Sequence, residues 1–391
     1  MRMLDRSTSP KRRLNTVGLF SGIGGLELGL TRAGHRSLLV CEIDPAARAV
    51  LRARLGADLE IHADVRTIER LPAETDLVVG GFPCQDLSQA GKTAGIAGTR
   101  SGLVSEVVRL LTSRRVPWLV LENVPFMLQL ARGEALEVIM SALETLGYRW
   151  AYRVVDTRAF GLPQRRRRVL IVAALDADPR SVLFADDAGA PETASALGRA
   201  CGFYWTEGIR GLGWAVDSIP TLKGGSSVGV PSPPAIWLPD GRIVTPEIRD
   251  AERLQGFAAD WTKPAESAGR ASFRWKLVGN AVSVPVAKWL GDRLAQPGDF
   301  DLGDAVTLPH GRGWPTHAWN VGEGRFTAQL SEWPLRKRTL RLDSFLRHPP
   351  KSLSVKATAG FLDRTRRSSL RFPPGFIAAL ERHLAGSRRA A

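Results

Sequence analysis

Short apolar segments alternate with longer segments of helical periodicity between residues 15 and 175. The apolar segments predict strands at residues 16–20, 37–41, 76–80, 117–121 and 169–173. The periodic segments predict helices at residues 25–33, 45–55, 102–112 and 134–146. This alternation is typical of an α/β fold in which helices cover both faces of a doubly wound mixed sheet. That architecture is our prediction for the fold class.

The amino-acid composition and the hydrophobic periodicity of the sequence change beyond the first domain. A stretch rich in Gly, Pro, Ala and Ser follows it without clear periodicity, which indicates a small separate lobe. Helical patterns then return at residues 245–255 and 284–294, so we expect the chain to rejoin the first domain. The predicted units are a basic N-terminal arm, a first domain, a small lobe, a returning segment and a C-terminal extension, at residues 1–13, 14–177, 178–240, 241–296 and 297–391. The extension ends in a predicted helix at residues 374–384, and no motif gives it a role.

The chain carries a large excess of positive charge. Its 54 Lys and Arg exceed its 39 Asp and Glu, which gives a formal net charge of +15 over 391 residues. Such an excess favours a polyanionic partner, and nucleic acid is the first candidate. A basic surface that serves only solubility is the alternative. The hydrophobic content of 44% is that of a globular protein with a core.

The three cysteines, Cys41, Cys84 and Cys201, are widely spaced. They fit neither a disulfide framework nor a zinc site, so we expect a reducing setting and no metal. No segment approaches the run of about 18 apolar residues that spans a bilayer. The basic N-terminus also lacks the apolar centre of a signal peptide. These features predict a cytoplasmic protein without a membrane partner.

A glycine-rich turn follows the first predicted strand and opens the first predicted helix. It consists of Phe20, Ser21, Gly22, Ile23, Gly24 and Gly25. Glycines allow a ligand close to the backbone, and free helix amides favour a polar or anionic group, so the turn predicts a nucleotide-like cofactor. Glu42 and Asp64 follow neighbouring strand regions, where carboxylates can accept hydrogen bonds from a ribose and an adenine amino group. Helix caps or solvated turns are the alternative roles for both.

A second group of motifs lies at the ends of later strands. Cys84 follows a turn of glycines and a proline, where a substrate could reach its thiol, although free cysteines commonly fill apolar space. Glu122 closes another strand and is expected at the same edge, where a carboxyl can share a proton with a ring nitrogen. Four arginines at residues 165–168 precede a further strand, and alternation would direct Arg166 and Arg168 to one side.

Together these motifs resemble those of the C5-cytosine DNA methyltransferases in order and spacing. The matching segments are FSGIGG at 20–25, FPCQ at 82–85, ENV at 122–124, QxRxR at 164–168, RLQGF at 253–257 and GNAV at 279–282. The resemblance covers roughly residues 14–295. It implies a Rossmann-like, S-adenosylmethionine-dependent methyltransferase fold. It also implies that residues 178–240 form the target-recognition region.

The resemblance implies that S-adenosylmethionine is the cofactor. The residues expected around it are Phe20, Ser21, Gly22, Ile23, Gly24, Gly25, Glu42, Ile43, Asp64, Val65, Pro83, Asn280 and Ala281. Glu42 would bind the ribose and Asp64 the adenine, while the last three residues of the set would close the methionine side. Ile43 stands where many family members have an aromatic residue, so an aliphatic contact would replace stacking on adenine.

The resemblance also implies covalent catalysis. The expected catalytic set is Cys84, Gln85, Glu122, Asn123, Arg166 and Arg168. The Cys84 thiolate would add to cytosine C6 and turn the ring into an enamine that can attack the methyl group. Glu122 would protonate or hydrogen-bond N3, and Arg168, with Arg166 near it, would hold O2. Asn123 would fix the loop geometry, and a water is expected to remove the C5 proton.

A target base inside a stacked duplex must rotate out before it can react. Residues 85–102 follow the cysteine and contain several glycines, which predicts a mobile lid; an ordinary flexible connection is the alternative. The residues expected to contact DNA are Ser88, Gln89, Lys92, Gln164, Lys223, Gly224 and Gly225. A solvent-exposed turn is the alternative for residues 221–227.

The expected function is that of a bacterial-type DNA cytosine-5 methyltransferase, acting as a monomer on double-stranded DNA. The expected setting is restriction-modification, with a cognate restriction endonuclease as a further partner, or orphan methylation. Two alternatives stay open: an RNA cytosine-5 methyltransferase and a catalytically silent, methylase-like DNA-binding regulator. Such a regulator need not keep Cys84, Glu122 and the paired arginines together.

Overall fold

The computed structural model describes residues 11–56, 58–82, 102–192, 194–225, 231–309 and 313–389. The strands, in chain order, are β1 (Asn15–Leu19), β2 (Arg36–Cys41), β3 (Glu60–His62), β4 (Leu77–Gly80), β5 (Trp118–Asn123), β6 (Arg149–Asp156), β7 (Gln164–Arg165), β8 (Arg167–Ala174), β9 (Cys201–Phe203), β10 (Ala215–Val216), β11 (Ile219–Pro220), β12 (Ala235–Trp237), β13 (Ile243–Thr245), β14 (Val306–Thr307), β15 (His317–Asn320), β16 (Arg325–Thr327) and β17 (Lys351–Ser352). The α-helices are α1 (Gly25–Arg32), α2 (Pro45–Leu55), α3 (Leu103–Ser113), α4 (Glu134–Thr145), α5 (Arg180–Leu183), α6 (Ile248–Leu254), α7 (Phe273–Asn280), α8 (Val284–Ala295), α9 (Leu342–Phe345), α10 (Val355–Arg366) and α11 (Phe376–Arg389). Short 3₁₀ turns cover Val65–Thr67, Pro125–Leu128, Leu130–Gly133, Thr157–Phe160 and Lys263–Ser267.

A large mixed sheet forms the centre of the fold, in the strand order β14-β16-β15-β6-β8-β5-β4-β1-β2-β3. Strands β1 to β5 run parallel to one another, whereas β8 is antiparallel to both β5 and β6. The sheet confirms the predicted doubly wound mixed architecture. All five predicted strands and all four predicted helices of the first domain are present, with ends that differ by at most two residues.

The connectivity of the sheet determines where a ligand can bind. Strand β1 lies between β2 and β4, so the chain turns to one side after β1 and to the other side after β3. The carboxyl ends of β1, β2, β4 and β5 therefore meet around such a reversal of strand order. This is the edge at which open α/β sheets bind their ligands.

The first residues of α1 and α2 lie at this edge of the sheet, and local contacts fix both helix starts. Asp44 caps α2, because its Oδ1 accepts hydrogen bonds from the amides of Ala46 (2.9 Å) and Ala47 (3.4 Å). Helix α1 begins at Gly25, and a Cβ at this position would collide with the carbonyl oxygen of Val282. This close approach holds the glycine-rich turn against the segment that contains the GNAV motif.

Strand β6 is the main element that the apolar pattern missed. Its residues are buried except for the first, yet charged side chains interrupt the apolar run. Arg153, in the middle of the strand, is fully buried because its guanidinium donates hydrogen bonds to the carbonyls of Leu183 (2.9 Å) and Asp186 (2.5 Å) and to Asp187 Oδ1 (2.9 Å). Its partners come from a distant segment, so local periodicity carries no sign of them.

The small lobe contains a second sheet, in the order β10-β9-β12-β13-β17. Its first strand begins at Cys201, whereas Val182 and Leu183 pack in the core of the first domain. Strand β13 still belongs to the lobe because it pairs with β12. The lobe sheet thus begins later and ends later than the predicted boundaries of 178 and 240.

The C-terminal extension is built into both sheets. Strand β15 pairs antiparallel with β6, and β14 and β16 continue the central sheet beyond it. Strand β17 completes the lobe sheet next to β13. Phe361 in α10 and Phe376 in α11 are fully buried against Phe203 of the lobe. Residues 297–391 are therefore part of the two cores rather than an appended segment.

Within the described ranges, no helix combines the length and apolar character needed to cross a membrane.

Candidate functional site

The glycine-rich turn has a tightly determined backbone. Phe20, Gly22 and Gly24 adopt left-handed conformations, with φ of 56°, 55° and 83°. For a phenylalanine this conformation is costly and persists only where the surroundings enforce it. The amide of Ser21 donates a hydrogen bond of 3.0 Å to the carbonyl of Cys41, which joins the turn to the end of β2. The turn therefore presents a fixed backbone at the edge of the sheet.

Glu42 lies beside this turn, directly after β2. Its Oε2 accepts a hydrogen bond from the amide of Gly22 (2.7 Å), and its Oε1 accepts one from the amide of Asp44 (2.8 Å). A carboxylate has about four acceptor positions, so both oxygens retain the capacity to accept ribose hydroxyls. Ile43 is 66% exposed next to it, which leaves its side chain free to contact a planar ring.

Asp64 is engaged by its own loop. It caps the 3₁₀ turn that begins at Val65, and its Oδ2 forms an ion pair of 2.6 Å with Arg66. Hydrogen bonds from Arg66 lower the pKa of Asp64 below its usual range. The carboxylate is thus ionised and able to accept, but an adenine would have to share it with Arg66. Val65, the first residue of this turn, is buried.

The segment around Asn280 closes the opposite side of the turn. Asn280 is exposed and Ala281 is buried, immediately before the residue whose carbonyl contacts Gly25. A Cβ on Gly224 would lie 3.0 Å from Oδ1 of Asn280. This segment therefore adjoins the small lobe as well as the glycine-rich turn.

Glu122 and Arg168 form a largely buried ion pair on neighbouring strands. Arg168 Nε lies 2.8 Å from Glu122 Oε1, and the side chains are only 12% and 9% exposed. The contact lacks hydrogen-bond geometry, so Oε1 of Glu122 has no hydrogen-bond partner among the described residues. Burial lowers the pKa of Arg168, while the carboxylate of Glu122 opposes that shift. The pair thus places a guanidinium and a carboxylate side by side at this edge of the sheet.

Asn123 links this pair to the segment that precedes Cys84. Its Nδ2 donates a hydrogen bond of 3.1 Å to the carbonyl of Phe82. A Cβ on Gly81 would lie 3.4 Å from Oε2 of Glu122. The end of β4 and the carboxylate of Glu122 are therefore next to each other.

Arg166 faces the interior. It is fully buried, and its guanidinium donates hydrogen bonds to the carbonyls of Leu222 (3.2 Å), Gly279 (3.2 Å) and Ala281 (2.7 Å). Burial lowers its pKa well below the usual value. These contacts tie the small lobe to the GNAV segment. Arg167, in contrast, is exposed.

The prediction that Gln164 contacts DNA is wrong. Its side chain is fully buried, because Nε2 donates to the carbonyl of Leu254 (2.8 Å) and Oε1 accepts from the amide of Leu222 (3.0 Å). Both hydrogen-bonding ends are thus occupied by backbone groups inside the protein.

Lys223 lies on the lobe surface close to the GNAV segment. Its Nζ is 2.7 Å from Glu207 Oε1 and 3.7 Å from the centre of the Tyr204 ring. The side chain is 51% exposed, so a phosphate could compete with Glu207 for the ammonium. Gly224 and Gly225 follow it at the same surface, and DNA contact by these three residues stays a prediction.

The two described cysteines are poor nucleophiles. Cys41 and Cys201 are both buried. Burial raises the pKa of the Cys41 thiol to about 12 and that of the Cys201 thiol to about 11. Both therefore remain thiols at neutral pH, and the thiolate is the reactive form.

Several predicted site residues lie outside the described residues. They are Pro83, Cys84, Gln85, Ser88, Gln89 and Lys92, together with nearly all of the predicted lid. Phe82, two residues before Cys84, is the last described residue on that side. Within the described part of the chain, no group of acidic, histidine or cysteine side chains is arranged to hold a metal.

Glu27, in the first turn of α1, is a buried polar residue that sequence patterns did not single out. Its side chain is 1% exposed, and neither carboxylate oxygen has a hydrogen-bond partner among the described residues. Burial raises its pKa to about 7. The sequence signal that could have found it is Gly18 in β1. A glycine inside a strand often marks a close approach by another group, and the group that approaches Gly18 is the carboxyl of Glu27.

Comparison with known proteins identifies strong similarity over almost the whole chain. The family model for the C-5 cytosine-specific DNA methylases matches residues 14–194. The Type II methyltransferase M2.BsuMI of Bacillus subtilis (strain 168) is 47% identical over 387 residues, which cover 94% of this chain and 98% of that protein. This alignment necessarily includes most of residues 297–391.

More distant relatives share parts of the chain. The Type II methyltransferase M.MspI of Moraxella sp is 26% identical over 301 residues, covering 71% of this chain and 70% of that protein. The crystal structure of the S. pombe Dnmt2 methyltransferase is similar with a TM-score of 0.52 at 18% identity, covering 72% of this chain and 98% of the other. At that identity the structural similarity supports the fold alone.

Proposed function

The chain belongs to the C-5 cytosine-specific DNA methylase family, and we propose that Cys84, Glu122 and Arg168 carry out the family reaction in it. It is an S-adenosylmethionine-dependent DNA cytosine-5 methyltransferase. The family reaction passes through a covalent adduct between a cysteine and C6 of the target cytosine. The proposal concerns which side chains of this chain perform each step.

The pairing of Glu122 with Arg168 is the observation that carries the assignment. The two side chains lie at the ends of adjacent strands, and the carboxylate adjoins Gly81. Cys84 is only three residues further along the chain. The proposed nucleophile therefore lies close in sequence to Gly81, which adjoins the paired carboxylate and guanidinium, and this supports the assignment.

The division of labour follows from the chemistry of cytosine. Addition of the Cys84 thiolate to C6 makes C5 nucleophilic. The carboxyl group of Glu122, which is ion-paired with Arg168 through Oε1, would share a proton with N3. The guanidinium of Arg168 would hold O2 and offset the negative charge that develops on the ring. Arg166 and Asn123 act as positioning residues through the backbone contacts described above.

Elimination supports Cys84 as the nucleophile. The chain has three cysteines, and the other two are buried with raised thiol pKa values. A reactive cysteine needs access to the substrate and a stabilised thiolate. Cys84 is the remaining candidate.

The residues around the glycine-rich turn fit the cofactor. When bound, S-adenosylmethionine supplies the methyl group from its sulfonium. Glu42 has acceptor capacity for the ribose, Ile43 is exposed for an adenine contact, and Asn280 is exposed on the opposite side. The unsatisfied carboxyl of Glu27 lies beneath the turn, where a cation would compensate it.

We propose a restriction-modification setting, in which the protein acts as a cytoplasmic monomer and has a cognate restriction endonuclease. The support comes from its relatives, which are Type II methyltransferases of bacteria. The net charge of +15 supports direct binding to duplex DNA.

The test compares duplex DNA and transfer RNA as methyl acceptors. Unmethylated genomic DNA and a mixed transfer RNA are incubated separately with the protein and radiolabelled S-adenosylmethionine. We expect label only in the DNA, recovered after digestion as 5-methylcytosine. Cys84→Ser, with the same cofactor affinity, is the matched inactive control. Label in the RNA alone would overturn the proposed substrate.

A further inference from the structure

A carboxyl group is enclosed directly under the cofactor side of the sheet. Glu27 projects from the first turn of α1 and is 1% exposed, with no hydrogen-bond partner for either oxygen among the described residues. Leaving a buried charge without a partner is costly, so such a group must be neutral or be compensated by something outside the chain.

The absence of a side chain at Gly18 leaves room for this carboxyl. A Cβ on Gly18, in β1, would collide with Oε1 of Glu27 and lie 2.8 Å from Oγ of Ser21. The carboxyl therefore occupies the volume of a side chain at the end of β1. It lies beside the turn that begins at Phe20.

The polar neighbours of Glu27 do not neutralise it. The hydroxyl of Ser21 stands beside the carboxyl and lowers its pKa, but the geometry falls short of a hydrogen bond. The negative charge of Glu42, at the end of β2, raises it. Burial is the largest influence and brings the pKa to about 7. Without a ligand, Glu27 is therefore largely protonated below neutral pH.

We propose that Glu27 is the counter-charge of the cofactor site, ionising when cationic S-adenosylmethionine binds and taking a proton again when neutral S-adenosylhomocysteine remains. This inference rests on the proposed position of the cofactor at the glycine-rich turn. It makes Glu27 a positioning residue that acts through charge, without a role in bond formation.

The proton balance of the proposed switch is simple. At neutral pH the cofactor carries a sulfonium, an ammonium and a carboxylate, so its net charge is positive. The product lacks the sulfonium and is neutral overall. A proton passes from Glu27 to solvent when the cofactor enters and returns from solvent after methyl transfer. The affinity for the cofactor relative to the product therefore increases as the pH rises through about 7.

The first test uses the unmodified protein and needs no activity. Calorimetric titration at pH 6 in buffers of different ionisation enthalpy measures the protons released on binding. We expect release approaching one proton for S-adenosylmethionine and little or none for S-adenosylhomocysteine. Equal release with both ligands, or none with either, would overturn the proposal.

The second test measures cofactor affinity against pH in Glu27→Gln. The wild-type dissociation constant should be about tenfold larger at pH 6 than at pH 8, after correction for the titrating amine of the cofactor itself. The isosteric amide should remove this dependence, and the exposed Glu69→Gln is the control that should retain it. A dependence that persists in Glu27→Gln would refute the role of Glu27. Failure of the wild-type protein to bind the cofactor at all would instead contradict the proposed cofactor site.

Discussion

At the scale of single residues, the site contains buried carboxylate oxygens that accept no hydrogen bond from the described residues, although Glu122 is ion-paired with Arg168. Oε1 of Glu122 and both carboxylate oxygens of Glu27 are buried without hydrogen bonds among the described residues. Buried polar groups are normally satisfied, so each exception calls for an explanation. We propose a target base as the explanation for Glu122 and a cationic cofactor as the explanation for Glu27.

Replacement of the Glu122 carboxyl by an amide tests the first explanation. In Glu122→Gln the side chain keeps its shape but can no longer transfer a proton to N3. We expect the single-turnover rate of methyl transfer to fall by about 10²–10⁴-fold, with DNA affinity changed far less. Rapid-quench measurement with excess enzyme gives the rate, and fluorescence anisotropy gives the affinity. An unchanged single-turnover rate would contradict proton donation by Glu122.

The raised pKa of Glu27 also predicts how stability depends on pH. In the unfolded chain a glutamate ionises near its ordinary pKa of 4.5, whereas in the folded cofactor-free protein it ionises near 7. Stability from this group is therefore full below 4.5 and is lost as pH rises through 7, by about 3 kcal/mol in total. Denaturant unfolding of the wild-type protein and Glu27→Gln between pH 5 and 8 isolates the effect. Parallel pH profiles of the two proteins would contradict it.

At the scale of elements, strand ends from different parts of the sequence meet through backbone contacts. Asn123 joins the end of β5 to the segment after β4, and Arg166 joins the lobe to the GNAV segment. The glycine-rich turn, the acidic strand ends and the arginine motif could be identified from local sequence. The inward direction of Arg166 and Gln164 could not, because their partners are backbone carbonyls and amides of distant segments.

Two adjacent arginines allow a matched test of this internal connection. Arg166→Met leaves three carbonyls without their charged donor, which should reduce the free energy of unfolding by roughly 3 kcal/mol. Arg167→Met removes only a partly exposed ion pair with Glu332, which contributes less than about 1 kcal/mol. Urea unfolding measures both variants. Equal stability of the two would show that Arg166 does not hold the lobe.

At the scale of the whole molecule, residues 297–391 complete both sheets and both cores. The apolar pattern in the first half of the chain was sufficient to predict the doubly wound sheet. It was insufficient for β14 to β16, whose strands are short and whose partner β6 is itself interrupted by buried charges. Trp319 and Phe361 are buried against residues far away in the sequence, and no local period marks such contacts.

The extension is therefore expected to be indispensable for folding. Phe361→Ala leaves a cavity among the rings of Phe203 and Phe376 and should cost about 3–5 kcal/mol of stability. Leu340→Ala, at a 50% exposed position of the same extension, should change stability by less than about 0.5 kcal/mol. Thermal unfolding followed by circular dichroism compares them. A Phe361→Ala protein as stable as the wild type would contradict an integral extension.

Covalent capture of the target base tests the central claim most directly. A duplex made by polymerase with the 5-fluorocytosine nucleotide in place of cytosine contains every recognition sequence, and its fluorine blocks the release of the enzyme. With S-adenosylmethionine present, mass spectrometry of the digested complex should find the nucleotide attached to the peptide that contains Cys84. Cys84→Ser should form no adduct. Attachment to another residue, or an adduct that persists in Cys84→Ser, would contradict Cys84 as the nucleophile.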